Sequence, residues 1–229
     1  MLLKINRFIN FQNGIKSFKF LFTRAIFAYA VMYLLSNAVI DFDKIKFGLG
    51  LRQLNFMMPS SFNVLLEIEK SHSVDDTQKL IPYFEFYSKV IELMPQRADA
   101  QGMLGFCYYY WGDFQSAVDA YEKAQRLFPQ HFWFYYNLGA IYYNLKNYNK
   151  AYENFKKASE VNLDMSYTFI LNSREIYMPI LKSFEKPELE AQNRLLEAVR
   201  FNQSLLDKLS LSFQNKPVSL PAQLVVRLF

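Results

Sequence analysis

The chain has 229 residues, enough for one ordinary domain with a short additional segment, and its 7 glycines and 8 prolines are too few for low complexity. Its net charge of +5 comes from the N-terminal region, because the other 21 basic residues equal the 21 acidic ones. A nucleic-acid surface needs clustered Lys and Arg, so this balance argues against nucleic-acid binding. The single cysteine, Cys107, excludes an intrachain disulfide and a cysteine-rich metal site, and its aromatic neighbours predict a buried side chain.

A basic region, residues 1–19, precedes an apolar segment at residues 20–40. The apolar segment is 21 residues long, enough to cross a bilayer core of about 30 Å as a helix. Alternatively, Ala25–Leu35 is the apolar core of a signal peptide and Ser36–Ala38 its cleavage site. We favour a retained single-pass membrane anchor with a cytoplasmic N-terminus, because positive charge precedes the segment and Asp41 follows it. The rest of the chain then lies on the periplasmic or extracytoplasmic side.

A connector, residues 41–62, mixes apolar and polar residues. It is predicted to cover the following helices or to lie at the membrane interface. A pair of helices is predicted next, at residues 63–72 and 78–94. The polar residues 73–76 separate them, and Pro82 is expected in the first turn of the second helix, where its missing N–H is tolerated.

Residues 98–131 are repeated 34 positions later at residues 132–165. The coinciding pairs are Leu104-Gly105 with Leu138-Gly139, Ala117 with Ala151, Ala124 with Ala158, Tyr108 with Tyr142, Phe114 with Tyr148, and Tyr121 with Phe155. Several matches at one period indicate an internal repeat. Each copy has two apolar-periodic runs around a polar turn, which predicts two helices with Gly and Ala at their closest approach. Asp113 is predicted to cap the second helix of the first copy.

This repeat resembles the tetratricopeptide repeat (TPR). Pro129 stands where the family places a proline at the end of a repeat, although Leu163 takes that position in the second copy. The resemblance implies an all-α fold, a short TPR-type α-solenoid that follows one N-terminal apolar helix. The helical domain is predicted to span residues 63–213, with the two clear repeats between degenerate helix pairs at residues 63–97 and 166–213.

The last predicted helix, residues 187–213, is amphipathic and is expected to cap the solenoid. Its apolar, inward residues are predicted to be Leu189, Leu195, Leu196, Val199, Leu205, Leu206 and Leu209. The tail, residues 214–229, contains two prolines and a short apolar run. Three alternatives stay open for the tail: packing on the last helix, adding to a partner as a strand, or being the end of a fragment.

The sequence contains no catalytic constellation. His72 and His131 are the only histidines, and both are predicted at helix ends because no further ligands stand at zinc-site spacing. The chain also lacks a glycine-rich phosphate loop and a G-x-S-x-G nucleophile motif. The sequence therefore predicts a protein that is not an enzyme and that uses no cofactor or metal.

In TPR proteins, the first helix of each pair lines a concave face where peptide partners bind. By position, the resemblance assigns partner contacts to Phe106, Tyr109, Tyr110, Trp133, Tyr136, Asn137, Tyr143 and Asn144. A family clamp for a partner's C-terminal carboxylate uses Lys and Asn, but Gly102 and Phe106 stand at two of its positions here and only Asn137 agrees. The aromatic character instead favours an apolar segment that stacks on tyrosine. The alternative is that these aromatic side chains pack within the repeats.

Together, these observations predict a membrane-tethered scaffold that binds a protein or peptide partner through an aromatic concave groove in an envelope assembly. Two alternatives belong to other classes. One is a TPR protein that self-assembles into a homo-oligomer, because neutral solenoids with weak caps stack end to end. The other is a non-catalytic accessory subunit of an enzyme complex.

Overall fold

A computed structural model of the chain describes residues 24, 26–29, 31–32, 48–72 and 77–229. The predicted basic region, most of the predicted anchor, residues 41–47 of the connector and the polar break at 73–76 lie outside the described residues. Within the described ranges, no helix has both the length and the apolar character that a membrane crossing requires.

The chain divides into two units, residues 1–53 and 54–229. The described residues of the first unit are helical. Several apolar side chains of this unit expose more than half of their surface: Ile26, Phe27, Tyr29 and Met32.

The second unit is helical, and no strand is assigned among its described residues. Its α-helices are α1 (Asn63–Ser71), α2 (Ile81–Leu93), α3 (Ala98–Tyr110), α4 (Phe114–Leu127), α5 (Phe132–Asn144), α6 (Tyr148–Glu160), α7 (Leu163–Asn172), α8 (Met178–Leu181) and α9 (Pro187–Phe213). A 3-10 helix, Thr77–Leu80, directly precedes α2, so the helix predicted at residues 78–94 begins with a tighter turn. Pro82 lies in the first turn of α2, as predicted.

The two central helix pairs, α3 with α4 and α5 with α6, pack closely because glycine faces an aromatic ring in each. A Cβ atom at Gly105 would lie 2.7 Å from the ring of Tyr121, and one at Gly139 would lie 2.5 Å from the ring of Phe155. Real Cβ atoms do not approach that closely, so only glycine permits this helix spacing. The repeat register predicted from sequence is confirmed at both positions.

Local capping fixes where the second helix of each pair begins. The predicted cap Asp113 is confirmed, because its carboxylate accepts a hydrogen bond from the Ser116 N–H at 3.1 Å. Asn147 does the same for α6 through the Lys150 N–H at 3.2 Å. Such caps satisfy backbone donors that have no partner within the helix.

Successive helices pack against their neighbours from α2 through α6, and α9 then packs against α6. This arrangement is a short α-solenoid, so the predicted all-α fold class is confirmed. The two histidines are also confirmed at helix ends: His72 follows α1 and His131 precedes α5.

The capping helix α9 has the predicted bounds, but its buried face differs from the prediction. Leu189 and Leu196 were expected to point inward and are instead 47% and 42% exposed. The buried positions are Ala191, Leu195, Ala198, Asn202, Leu205, Leu206 and Leu209. Small residues and one asparagine therefore share the inward stripe, and Asn202 is held there because its side-chain amide donates to the Phe155 carbonyl at 2.9 Å.

Candidate functional site

Helices α3 and α5 are buried on almost every side, since only Tyr108 and Tyr110 of α3 escape full burial. In α5, only Tyr135, Tyr142 and Asn144 are not fully buried. One side of each helix packs on its partner helix in the repeat. The opposite side is covered by the last part of the tail, residues 221–229.

The tail buries alternate residues. Leu224, Val226 and Leu228 are at most 3% exposed, whereas Val225 and Arg227 are only partly buried. A period of two is that of an extended chain, whose successive side chains point to opposite sides. The last residue of the sequence, Phe229, is also buried, with its ring centroid 5.5 Å from that of Tyr177.

Two asparagines of α5 bind the tail backbone, each through two hydrogen bonds. The Asn144 side chain accepts from the Leu224 N–H at 2.8 Å and donates to the Leu224 carbonyl at 2.7 Å. The Asn137 side chain accepts from the Arg227 N–H at 2.8 Å and donates to the Arg227 carbonyl at 2.6 Å. Each amide therefore satisfies both main-chain groups of one tail residue, as a neighbouring strand would.

The spacing of the two contacts follows from elementary geometry. Asn137 and Asn144 are two helical turns apart, which is about 10.5 Å at 1.5 Å per residue. Leu224 and Arg227 are three residues apart, which is about 10 Å in an extended chain at roughly 3.3 Å per residue. A helix with asparagines at this spacing thus matches every third residue of an extended segment. Because Leu224 meets Asn144 and Arg227 meets Asn137, the tail runs antiparallel to α5.

Tyrosine hydroxyls supply further contacts along the groove, which we define as the surface of α3 and α5 that the tail covers. Tyr110 donates to the Val226 carbonyl at 3.1 Å, and Tyr143 donates to the Pro221 carbonyl. The Tyr109 hydroxyl accepts from the side-chain amides of Asn144 at 2.7 Å and Gln223 at 3.4 Å. Burial raises the pKa of Tyr110, so its phenol stays protonated and able to donate.

Five of the eight residues assigned to partner contact by sequence thus come together on one surface. Tyr109, Tyr110, Asn137, Tyr143 and Asn144 hydrogen-bond to the tail.

The other three members of the predicted set are buried aromatic residues. Phe106 packs on Tyr110 with ring centroids 4.6 Å apart, and Trp133 packs on Tyr136 at 5.7 Å. Burial raises the pKa of Tyr136 to about 12, although the neighbouring Arg227 acts in the opposite direction.

The carboxylate clamp of the family has no counterpart at Gly102. A Cβ atom at this position would lie 2.6 Å from the Phe134 ring, so the site has no room for the lysine that such a clamp requires. The groove holds the tail by main-chain hydrogen bonds and apolar burial instead.

Charged residues from three elements meet near the end of the tail. Glu69 of α1 is 5% exposed and forms an ion pair with Arg194 of α9. Arg227 of the tail lies 3.7 Å from the same Glu69 oxygen, Oε1. Arg194 also donates through Nε to the Phe229 backbone oxygen at 3.2 Å and lies 5.0 Å from the centre of the Phe229 ring. Burial raises the pKa of Glu69, and the two arginines oppose that shift.

Sequence reasoning missed the tail as an occupant of the groove, together with Glu69 and Arg194. One signal was present, since Leu224, Val226 and Leu228 alternate with the period of an extended segment. No local pattern marked Glu69 or Arg194, which are far apart in sequence and meet only in the fold.

Features of metal and thiol chemistry are scarce in the part of the chain that the structure describes. It contains no group of three or more His, Cys, Asp and Glu side chains arranged to hold a metal ion. The predicted burial of Cys107 is confirmed, and burial raises the pKa of its thiol. A buried thiol with a raised pKa is a poor nucleophile.

Comparison with known families agrees with the geometry of the central helices. The tetratricopeptide repeat family matches residues 98–131 and 132–164, which contain α3 to α6. The chain therefore contains TPR repeats, which support a role in protein–protein interaction and are typically non-catalytic scaffolds. A comparison with curated proteins finds no match.

Proposed function

We propose that the chain is a protein-interaction module whose groove binds an extended segment of a partner protein as it binds its own tail. The observation that carries this proposal is the pair of two-point contacts from Asn137 and Asn144 to the tail backbone. Contacts to main-chain groups do not depend on side-chain identity, so they accommodate segments of different sequence.

On this proposal, the tail is a resident competitor. Its first residues, 214–217, are exposed and connect α9 directly to the bound part. A short tether gives an effective concentration of about millimolar, so a partner segment must outcompete a tail present at that level. The groove is therefore occupied until a tighter segment arrives or the tail is displaced.

The test uses the full chain with Leu224→Asp and Val226→Asp, which we term the tail-released variant. Aspartate at these buried positions cannot stay in the groove without a partner for its charge. A fluorescent peptide of residues 214–229, amidated at its end, is expected to bind this variant. Adding Asn137→Ala and Asn144→Ala is expected to weaken binding about a hundredfold, because four hydrogen bonds are lost.

The matched control is Asn149→Ala, which removes an exposed asparagine of α6 instead. It is expected to leave peptide affinity unchanged. Equal binding by the Asn137→Ala, Asn144→Ala protein and the control, with the fold intact by circular dichroism, would contradict the proposed mode of recognition.

We also propose that residues 20–40 anchor the module in a membrane, with the TPR repeats on the periplasmic or extracytoplasmic side and in an envelope assembly. The basic region before the segment and Asp41 after it support this orientation. The exposed apolar side chains Ile26, Phe27 and Met32 also support it, since a lipid environment would cover them.

Cell fractionation tests the anchor. The full chain is expected in the membrane fraction after washes with high salt and alkaline carbonate, whereas a variant that lacks residues 20–40 is expected in the soluble fraction. Recovery of the intact full chain in the soluble cytoplasmic fraction would refute both the anchor and the compartment. Protease added to spheroplasts tests the side, because only an extracytoplasmic solenoid is cleaved.

A further inference from the structure

Beside the groove, Glu69 of α1 faces the partly exposed side of the tail. Glu69 is 5% exposed and its Oε1 atom lies 3.7 Å from Nη1 of Arg227. Arg194 donates to Glu69 through Nη2 and to the Phe229 backbone oxygen through Nε. The charged group that Arg227 meets as an ion pair is therefore the carboxylate of Glu69.

The space beside position 227 allows either arginine or lysine there. A cavity of about 420 Å³ opens here, and Glu69, Lys70, His72, Glu190, Arg194 and Arg227 are its polar lining residues. The Arg227 side chain is 41% exposed at this opening, so we expect a lysine at this position to reach Glu69 as well. A carboxylate at position 227 would face Glu69 at short range, and like charges so placed repel strongly.

The neighbouring positions impose a second requirement. Leu224, Val226 and Leu228 enter the apolar side of the groove, and Phe229 packs on Tyr177. The asparagine contacts fix the register, because Asn137 holds the main chain of Arg227 itself. When the apolar residues of a segment in this register are buried, the residue at the position of Arg227 must therefore face Glu69.

We infer that the groove selects partner proteins through an extended segment with apolar residues at three alternate positions and Arg or Lys before the third. Glu69 recognises that basic residue through an ion pair, and Arg194 positions Glu69. This inference rests on the proposed function and specifies the chemistry of the partner.

Peptides of residues 214–229 bound to the tail-released variant test this specificity. Relative to the native peptide, Arg227→Lys is expected to bind within about twofold and Arg227→Ala about threefold more weakly, as is typical of a partly exposed ion pair. Arg227→Glu is expected to bind about thirtyfold more weakly. In a tail-released protein that also carries Glu69→Gln, the native and Arg227→Ala peptides are expected to bind equally.

Lys216→Glu is the matched control peptide, because it makes the same charge change at an exposed residue. It is expected to bind within about twofold of the native peptide. Binding of Arg227→Glu as tightly as Lys216→Glu would overturn the inference and leave the proposed function intact. Failure of the native peptide to bind at all would instead refute the proposed function.

A second measurement avoids the tail-released variant. In the otherwise native chain, Arg227→Glu is expected to speed hydrogen exchange at the Leu224 amide about thirtyfold, and Lys216→Glu is expected to leave it unchanged. Equal exchange in both would count against the inference. The alternative occupant of the groove is the tail of a second copy of this chain, and light scattering on the native chain tests it. A dimer formed by exchange of tails would overturn the inference that a partner protein binds there.

Discussion

The inner helices α3 and α5 differ from the outer helices α4 and α6 in how many sides they bury. The inner helices are covered by their repeat partners on one side and by the tail on the other. The outer helices bury a single stripe, which is Ala117, Val118, Ala120, Tyr121 and Ala124 in α4 and Ala151, Phe155 and Ala158 in α6.

This difference shows why binding residues and core residues look alike in this protein. An amphipathic helix reveals its buried face by periodicity, whereas a helix that is apolar all round reveals none. On α5, Gly139 faces the outer helix and Asn137 faces the tail, although they are only two positions apart. Their roles are assigned by what packs against each side.

The largest expected effect comes from breaking the tail side of the inner helices. Val226 is fully buried, so Val226→Asp should detach the tail and lower the free energy of unfolding by about 4 kcal/mol, the net of lost apolar burial and regained chain entropy. Urea denaturation measures this loss. Val225→Asp places the same charge on the partly exposed side and should cost less than about 1 kcal/mol. Equal losses would contradict the alternation.

The next largest effect is expected from a substitution on the side of α5 that packs against α6. Gly139→Leu forces a side chain into the Phe155 ring, which is fully buried. Overpacking of this kind should lower the free energy of unfolding by about 3 kcal/mol, measured by thermal melting. Glu153→Leu on the exposed side of α6 introduces the same residue and should change it by less than about 0.5 kcal/mol. An unchanged melting temperature for Gly139→Leu would refute the register of the repeat.

A smaller, pH-dependent effect is expected at the buried start of α5. His131 is fully buried with Nδ1 3.0 Å from the Ser166 hydroxyl, and burial lowers its pKa from 6.5 to about 3. Between these values the unfolded state binds more protons, so stability falls as the pH drops below about 6.5. The loss should reach about 2 kcal/mol at pH 5, by denaturation at pH 7 and pH 5.

The control for this pH effect is the other histidine. His131→Gln should remove the pH-dependent loss, and His72→Gln should retain it because His72 is exposed. A loss of the same size in both variants would assign the pH dependence to other groups.

Much of the solenoid followed from the sequence because its determinants are local. The 34-residue period, the glycines at close approach, the Asp113 cap and the bounds of α9 depend on residues within one or two helices. The inward face of α9 was predicted less well, since Leu189 and Leu196 have apolar side chains in helical phase and yet are exposed. The stripe that α6 covers is set by the crossing of two helices, and sequence periodicity does not contain that angle.

The sequence by itself determined that the chain forms paired helices with an aromatic inner surface, because helical periodicity and small residues suffice to specify both. Only the tertiary structure decided what covers that surface. The tail meets α5 through contacts that join residues 80 to 90 positions apart, and Glu69 meets Arg194 across 125 positions. The sequence of an extended segment carries only a weak pattern. Its position in the fold is therefore fixed by the side chains of the helices that bind it.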